Sequence, residues 1–167
     1  MSHFEVRSIY AKEAGIALGT QWDQNVLQQG LLGARSSTLI TGGNGGTVLT
    51  NSSYLMAETT DLINRDWGGA GVYSEGEVMK VAGIHIVKTN NLPITNIAGA
   101  QVSTHDVNAS TTKALVMHKS AVATVKLLNL AVETEYQIKN QGWIIVAKYA
   151  MGHGFIRPEG CVEFKTS

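Results

Sequence analysis

The chain has 167 residues, with 13 basic and 13 acidic side chains, five histidines and a formal net charge of zero. That length fits one domain with ample material for a core, and 44% hydrophobic residues argue against a disordered chain. With no positive excess, the electrostatic footprint of a nucleic-acid binder is missing, and the lone cysteine, Cys161, excludes an intrachain disulfide framework and a multi-thiolate zinc site.

The first 35 residues are expected to form one long amphipathic helix. Ser2 and Glu5 stand at capping-box spacing. Tyr10, Ala14, Leu18, Trp22 and Val26 then recur four apart, which lines one helical face. Gly30 and Gly33 read as its end, with Arg35 beside the last carbonyls. About thirty residues at 1.5 Å each span roughly 45 Å, so the helix needs a body to lie across.

Residues 36–53 are a Ser-, Thr- and Gly-rich loop centred on Gly42–Gly46. A phosphate cradle fails there, because no Lys-Ser or Lys-Thr pair follows the glycines; a flexible tip or turn is expected. Residues 54–67 suit a short helix capped near Thr59 or Thr60 and ended by Gly68–Gly71. Residues 71–76 miss the G-x-S-x-G nucleophile elbow, since Gly71 lies three positions before Ser74 rather than two.

Residues 77–89 read as strand, broken at Gly83 and stopped by Asn90-Asn91-Leu92-Pro93. Residues 94–113 are expected to be polar, irregular and exposed, and 114–127 suit either strand or a short helix. From Leu128 the alternation is strict: Leu128, Leu130, Val132, Thr134 and Tyr136 share one face, the pattern of a half-buried strand. Residues 143–151 are apolar apart from Lys148, which predicts a strand buried on both faces. After a bend at 152–154, short strands flank a Pro-Glu-Gly turn. The fold class is α+β.

Chemistry-bearing patterns are sparse. His3, His85, His105, His118 and His153 show no metal-ligand spacing, so no metal or cofactor is expected. His85 reads as a sheet-face residue and His118 as a solvated one. Cys161 and His153 flank a turn and are the one candidate nucleophile–base pair, with Glu159 or Glu163 to orient the imidazole. The cysteine, however, falls on an expected edge strand with no helix N-terminus or cation run to lower its pKa, which favours a packing role. Glu133 and Glu135 share a strand face that reads as wet. Basic and aromatic residues do not cluster as in a single-strand binder, and no apolar run approaches the ~18 residues of a membrane span. The first residues, Met1–Glu5, lack the basic and apolar parts of a signal peptide. Two alternatives to a structural role remain: a small-ligand module using the Gly-rich loops, and a hydrolase using Cys161 and His153. Charged residues make up only 16%, against roughly 25% in a typical domain, which favours a surface covered by neighbours.

Four separated stretches, in order, resemble one family. They are residues 2–8 (Ser-His-Phe-Glu-Val-Arg-Ser), 83–93 (Gly-Ile-His-Ile-Val-Lys-Thr-Asn-Asn-Leu-Pro), 117–127 (Met-His-Lys-Ser-Ala-Val-Ala-Thr-Val-Lys-Leu) and 145–159 (Ile-Val-Ala-Lys-Tyr-Ala-Met-Gly-His-Gly-Phe-Ile-Arg-Pro-Glu). They are similar to segments of the major capsid proteins of T7-like short-tailed bacteriophages, including cyanophages. The resemblance implies a Hong Kong 97-type capsid fold. Residues 1–35 would be the spine helix of a peripheral domain, 36–113 part of an axial domain with its loops, and 114–167 strands closing both. It implies a non-enzymatic shell subunit, assembled as hexamers and pentamers around double-stranded DNA. The implied partners are further copies of the chain, a scaffolding protein during assembly and a portal protein, with only non-specific proximity to DNA and no membrane. The implied location is the virion, and the host cytoplasm during assembly. Family members are longer: an N-terminal arm and an extended loop are expected before Met1, and more residues near Thr50-Asn51, so the chain is expected to be N-terminally truncated and internally shortened. Axial-domain loops crowd the capsomer axes in this family, which makes Gly43, Asn44, Gly45, Asn90, Asn91, Leu92 and Pro93 the candidate contact residues, together with the 94–113 loop.

Overall fold

Helical periodicity at the start of the chain produces α1, His3–Arg35, in a computed structural model that describes residues 3–50, 80–81, 83–99 and 105–166. The expected helix over 54–67, the Gly68–Gly71 stop, the near-elbow at Ser74 and the beginning of the strand expected over 77–89 lie outside the described residues. At 1.5 Å per residue α1 is about 50 Å long. It does not stop at Gly30 or Gly33. Both glycines lie inside it, where the missing side chains let a sheet approach: a Cβ on Gly30 would meet Leu115 Cδ2 at 2.8 Å, and one on Gly33 would meet Cys161 Sγ and Phe155 Cβ at 3.2 Å. The final turns, from Gln28 to Ala34, are largely buried, whereas Ile9, Tyr10 and Ile16 in the first half are exposed.

The chain leaves α1 through a loop and returns as β1, Thr47–Leu49. A tight hairpin follows, β2 (Lys80–Val81) and β3 (Ile84–His85), turned at Gly83 with φ of 85°. The strand expected across 77–89 is therefore two short ones, with no strand after His85. β4 (Asn96–Ile97) pairs antiparallel with β5 (Val107–Asn108). β6 is Thr112–Met117, β7 is Val122–Gln137, β8 is Gly142–Phe155 and β9 is Cys161–Lys165. β7 and β8 form a long antiparallel ribbon. β9 is the middle strand of a three-stranded sheet, parallel to β1 and antiparallel to β6. Cys161 thus begins a central strand, not an edge strand. The 94–113 segment, expected to be irregular and exposed, carries β4 and β5 and buries Val107, Ala109 and Thr112. Its small and β-branched residues pack under the end of α1.

Two small apolar clusters hold this end together. Leu31, Val107 and Ala109 form one, with Leu32, Ile97 and Leu115 packed around it. Ala34, Ala121 and Cys161 form the other, with Val122 against it. Between them lies an ionic pin. The Arg35 guanidinium donates to both oxygens of Glu163, Nε to Oε2 at 2.6 Å and Nη2 to Oε1 at 2.6 Å. Its Nη1 donates to the Asn108 carbonyl at 2.8 Å, and the Thr112 hydroxyl donates to Glu163 Oε1 at 2.6 Å. Glu163 is 0% exposed, and the Arg35–Glu163 pair ties α1, β5, β6 and β9 together. Burial alone would raise its pKa. The hydrogen bonds from Arg35 and Thr112, with the Arg35 charge, outweigh burial and hold it below the usual carboxylate value.

Glu163→Gln removes the acceptor charge and leaves Arg35 unbalanced at a partly exposed site. Breaking such a pair costs about 3 kcal/mol, which lowers Tm by about 6–12 °C in a thermal melt of a chain this size. Since the folded carboxyl titrates below its unfolded value of about 4.3, its contribution is complete above that pH and is lost as the pH falls through the folded value. Acid melts of the native chain should therefore steepen below about pH 4, and those of Glu163→Gln should not. Glycines in and beside α1 give a second contrast. Gly19 has open space where a Cβ would go, so Gly19→Ala should raise stability by about 0.5–1 kcal/mol. At Gly46 a Cβ would collide with the backbone of Gly33 and Ala34, so Gly46→Ala should lower stability by about 2 kcal/mol in a denaturant titration.

Candidate assembly surfaces

The first candidate surface is the loop after α1. Ser36 N–H donates to the Gly33 carbonyl at 3.1 Å and Gly46 N–H to the Ser36 carbonyl at 3.0 Å, which folds the loop back on the helix end. Gly42 turns it with φ of 80°, and Gly43 N–H donates to the Ile40 carbonyl at 3.0 Å. Asn44 is exposed at the tip, Gly43 and Gly45 are half-buried, and Leu39 and Ile40 stand out in solvent. The loop is a braced turn that presents an asparagine and two apolar side chains.

The second is the turn at Asn90, Asn91, Leu92 and Pro93. It is anchored to the middle of α1, where Asn91 Nδ2 donates to Asp23 Oδ2 at 3.3 Å. Thr89 Oγ1 accepts from the Asn91 amide at 3.1 Å. Pro93 is buried, Leu92 half-buried and Asn90 exposed. Between this turn and α1 lies a cleft of about 690 Å³ lined by Gln21, Gln24, Asn25, Gln28 and Gln29 on the helix. Gly46 meets α1 near Gly33 and Asn91 meets it at Asp23, so the two candidate loops sit about 15 Å apart along the helix. The structure does not bring them together.

The third surface is the β7–β8 ribbon. Its root docks on α1: the His153 ring stacks on Trp22 with centroids 6.3 Å apart, and Lys126 Nζ lies 5.0 Å from the Trp22 ring centroid. His153 Nδ1 pairs with Thr124 Oγ1 at 2.9 Å, and burial pushes the imidazole pKa down, which keeps it neutral beside Lys126. Beyond the root, the odd-numbered residues of β8 share the face of His153 and most are half-buried, while the even-numbered Ile144, Val146 and Lys148 are exposed. The strand expected to be buried on both faces is therefore exposed on one, and β7, expected to be half-buried, is exposed along most of its length. Val125 is 74% and Leu127 84% exposed. Among the described residues the ribbon is a two-stranded sheet with no second layer over that face. The sequence pattern found the apolar residues correctly but not what covers them.

Cys161 and His153 do not form a catalytic pair. Cys161 is buried against Gly33, and burial, helped by the Glu159 charge, pushes its thiol pKa up, the opposite of activation. Glu163, the second orienting candidate, is bound to Arg35. Among the described residues no hydrogen bond joins Cys161 to His153, and no group of three or more His, Cys, Asp or Glu is placed to hold a metal ion. His85 is exposed on β3, and His118 Nδ1 meets Ser120 Oγ at 2.8 Å.

Comparison with known proteins agrees with this architecture. Residues 47–165 match the family described as Gp10A-like major capsid protein. The chain is 57% identical over 53 residues to the major capsid protein of Escherichia phage T7, a match covering 30% of this chain and 15% of that protein. It is 56% identical over 45 residues to the major capsid protein of Enterobacteria phage T3, covering 27% of this chain and 13% of the other. The chain therefore spans a small part of the curated relatives it matches. Among solved structures, the capsid of cyanophage P-SCSP1u superposes with a TM-score of 0.87 at 32% identity, over 100% of this chain and 68% of that one. The mature capsid of bacteriophage PhiM1 shares the fold with a TM-score of 0.70 at 17% identity, over 100% of this chain and 65% of that one. The α+β arrangement is thus of the Hong Kong 97 type, and the chain belongs to the Gp10A-like family of major capsid proteins.

Proposed function

We propose that the chain is a structural subunit of an icosahedral phage shell, self-assembling as hexamers and pentamers around double-stranded DNA, without catalytic activity. The observation that carries this is the superposition of its full length on a cyanophage capsid chain. The exposed apolar face of the ribbon supports it, since contiguous apolar surface marks contact sites. Zero net charge supports it too, because identical copies then meet without long-range repulsion.

Within that reading, residues 1–35 are the spine of a peripheral domain, 36–113 part of an axial domain, and 114–167 the strands closing both. The Gly43-Asn44-Gly45 tip and the Asn90–Pro93 turn are contacts between subunits. A scaffolding protein and a portal protein are partners during assembly in the host cytoplasm, and the virion is the final location. Each contact is modest, and closure by symmetry makes the whole stable.

Purified chain, concentrated stepwise and examined by sedimentation velocity and negative-stain microscopy, should give rings or shells whose yield rises with concentration. A monomer at every concentration would overturn the reading.

A further inference from the structure

The outer face of the β7–β8 ribbon has a pattern that fits its own copy. Residues directly opposite across the ribbon share a face, so Glu133 stands beside Val146, Glu135 beside Ile144 and Ala131 beside Lys148. These six lie on the side away from α1, because their even-numbered β8 members alternate with His153, which stacks on the helix. Lys148 Nζ pairs with Glu133 Oε1 at 2.7 Å within one copy. Among the described residues Glu135 makes no ion pair.

We propose that two copies meet through this face, outer side to outer side and antiparallel, about a two-fold axis passing beside Glu133 and Val146. It rests on the shell-subunit reading only for the identity of the partner. The axis inverts the ribbon end to end. Lys148 is two residues toward the root from Val146, and Glu135 is two residues toward the tip from Glu133. Inversion therefore brings each Lys148 to the level of the other copy's Glu135, so that one ammonium lies between its own Glu133 and the other copy's free carboxylate. Val146 meets its own symmetry mate, the stem of each Lys148 lies over the other copy's Ile144, each Glu135 lies over the other copy's small Ala131, and Leu128, near the root, comes to the level of Gln137 near the tip. Such mutual matching of residue i with j and j with i is what an isologous contact requires. A strongly acidic or strongly basic partner would meet both signs on this face. Another copy meets the opposite sign where it needs it.

The size of the face sets the strength. Overlap from Leu128 to Gln137, against Ala150 to Gly142, is about 30 Å long and two strands, or about 10 Å, wide, roughly 300 Å² per copy. That is below the area of a stable free-standing interface, so the dimer is weak alone and is best trapped covalently. Val146→Cys, treated with a short bifunctional thiol reagent, should give a covalent dimer. Val125→Cys is more exposed in the monomer but lies beyond the overlap and should not. Native Cys161 is buried and does not interfere. Adding Lys148→Glu to Val146→Cys should cut the dimer yield about fivefold, as expected for loss of a solvent-exposed ion pair, and adding Glu135→Lys to that variant should restore it. Absence of the Val146→Cys dimer, equal cross-linking at Val125→Cys, or failure of the charge swap to restore yield would each overturn the proposal. Shells without this dimer would overturn the pairing alone, the dimer without shells would overturn the shell reading alone, and neither species would overturn both.

Discussion

The geometry depends on one carboxylate. Glu163 is the one fully buried acid among the described residues, and it sits mid-sheet on β9, where Arg35 at the end of α1 meets it with two hydrogen bonds. A buried charge is costly unless fully paired. The pair is therefore not a diffuse source of stability but a constraint on position: only one placement of the α1 terminus over the sheet satisfies it. Thr112 and the Asn108 carbonyl complete the shell around the two charges. Gly30 and Gly33 then follow as necessities, because helix and sheet this close leave no room for side chains between them.

That single anchored end explains where rigidity stops. The apolar clusters, the pin and the short pairings of β4 with β5 all lie around the C-terminal third of α1. The other two long features, the first half of α1 and the distal ribbon, project away from it with apolar residues in solvent. An isolated two-stranded ribbon is marginal in water, and helix stability in proteins comes mostly from packing of one face. In the proposed assembly, both projections gain most from surfaces supplied by other copies. In an enzyme so much uncovered apolar surface would be a liability. In the proposed shell subunit it would be the contact surface.

Sequence patterns made some of this visible and hid the rest for physical reasons. The four-residue recurrence from Tyr10 to Val26 needs only local geometry, so α1 was legible. Glycine is ambiguous without a partner in view: Gly30 and Gly33 looked like a helix stop, yet they serve close approach. Cys161 looked like an edge residue because nothing local shows that β1, more than a hundred residues earlier, pairs beside it. The polar run 94–113 hid Val107 and Ala109, two small apolar residues buried in one cluster with the distant Leu31. Alternation along β7 correctly signalled strand, but alternation reports that a face will be covered, not that the same chain covers it. For the contact residues, the loop glycines and the Asn90–Pro93 turn were findable as breaks in periodicity, whereas the Asn91–Asp23 bond that anchors the turn had no sequence signal.

In the proposed assembly, this arrangement couples folding to association. Net stability of a domain is a small difference between burial and lost chain entropy, and here the buried clusters are small while long elements remain half-covered. Anything that binds the folded form and not the unfolded one adds stability in proportion to the logarithm of its concentration. In the proposed shell the partner is the chain itself, so that concentration rises as the protein accumulates. The same apolar faces that leave the lone subunit weakly supported then become internal surface, and neutral overall charge leaves no accumulating repulsion to oppose each added copy. The pin at Arg35 and Glu163 holds the projecting faces in fixed relation before any neighbour arrives, so association selects among already oriented subunits and need not first order them. The entropy cost of each contact falls accordingly, which is how contacts too small to stand alone suffice in a closed assembly.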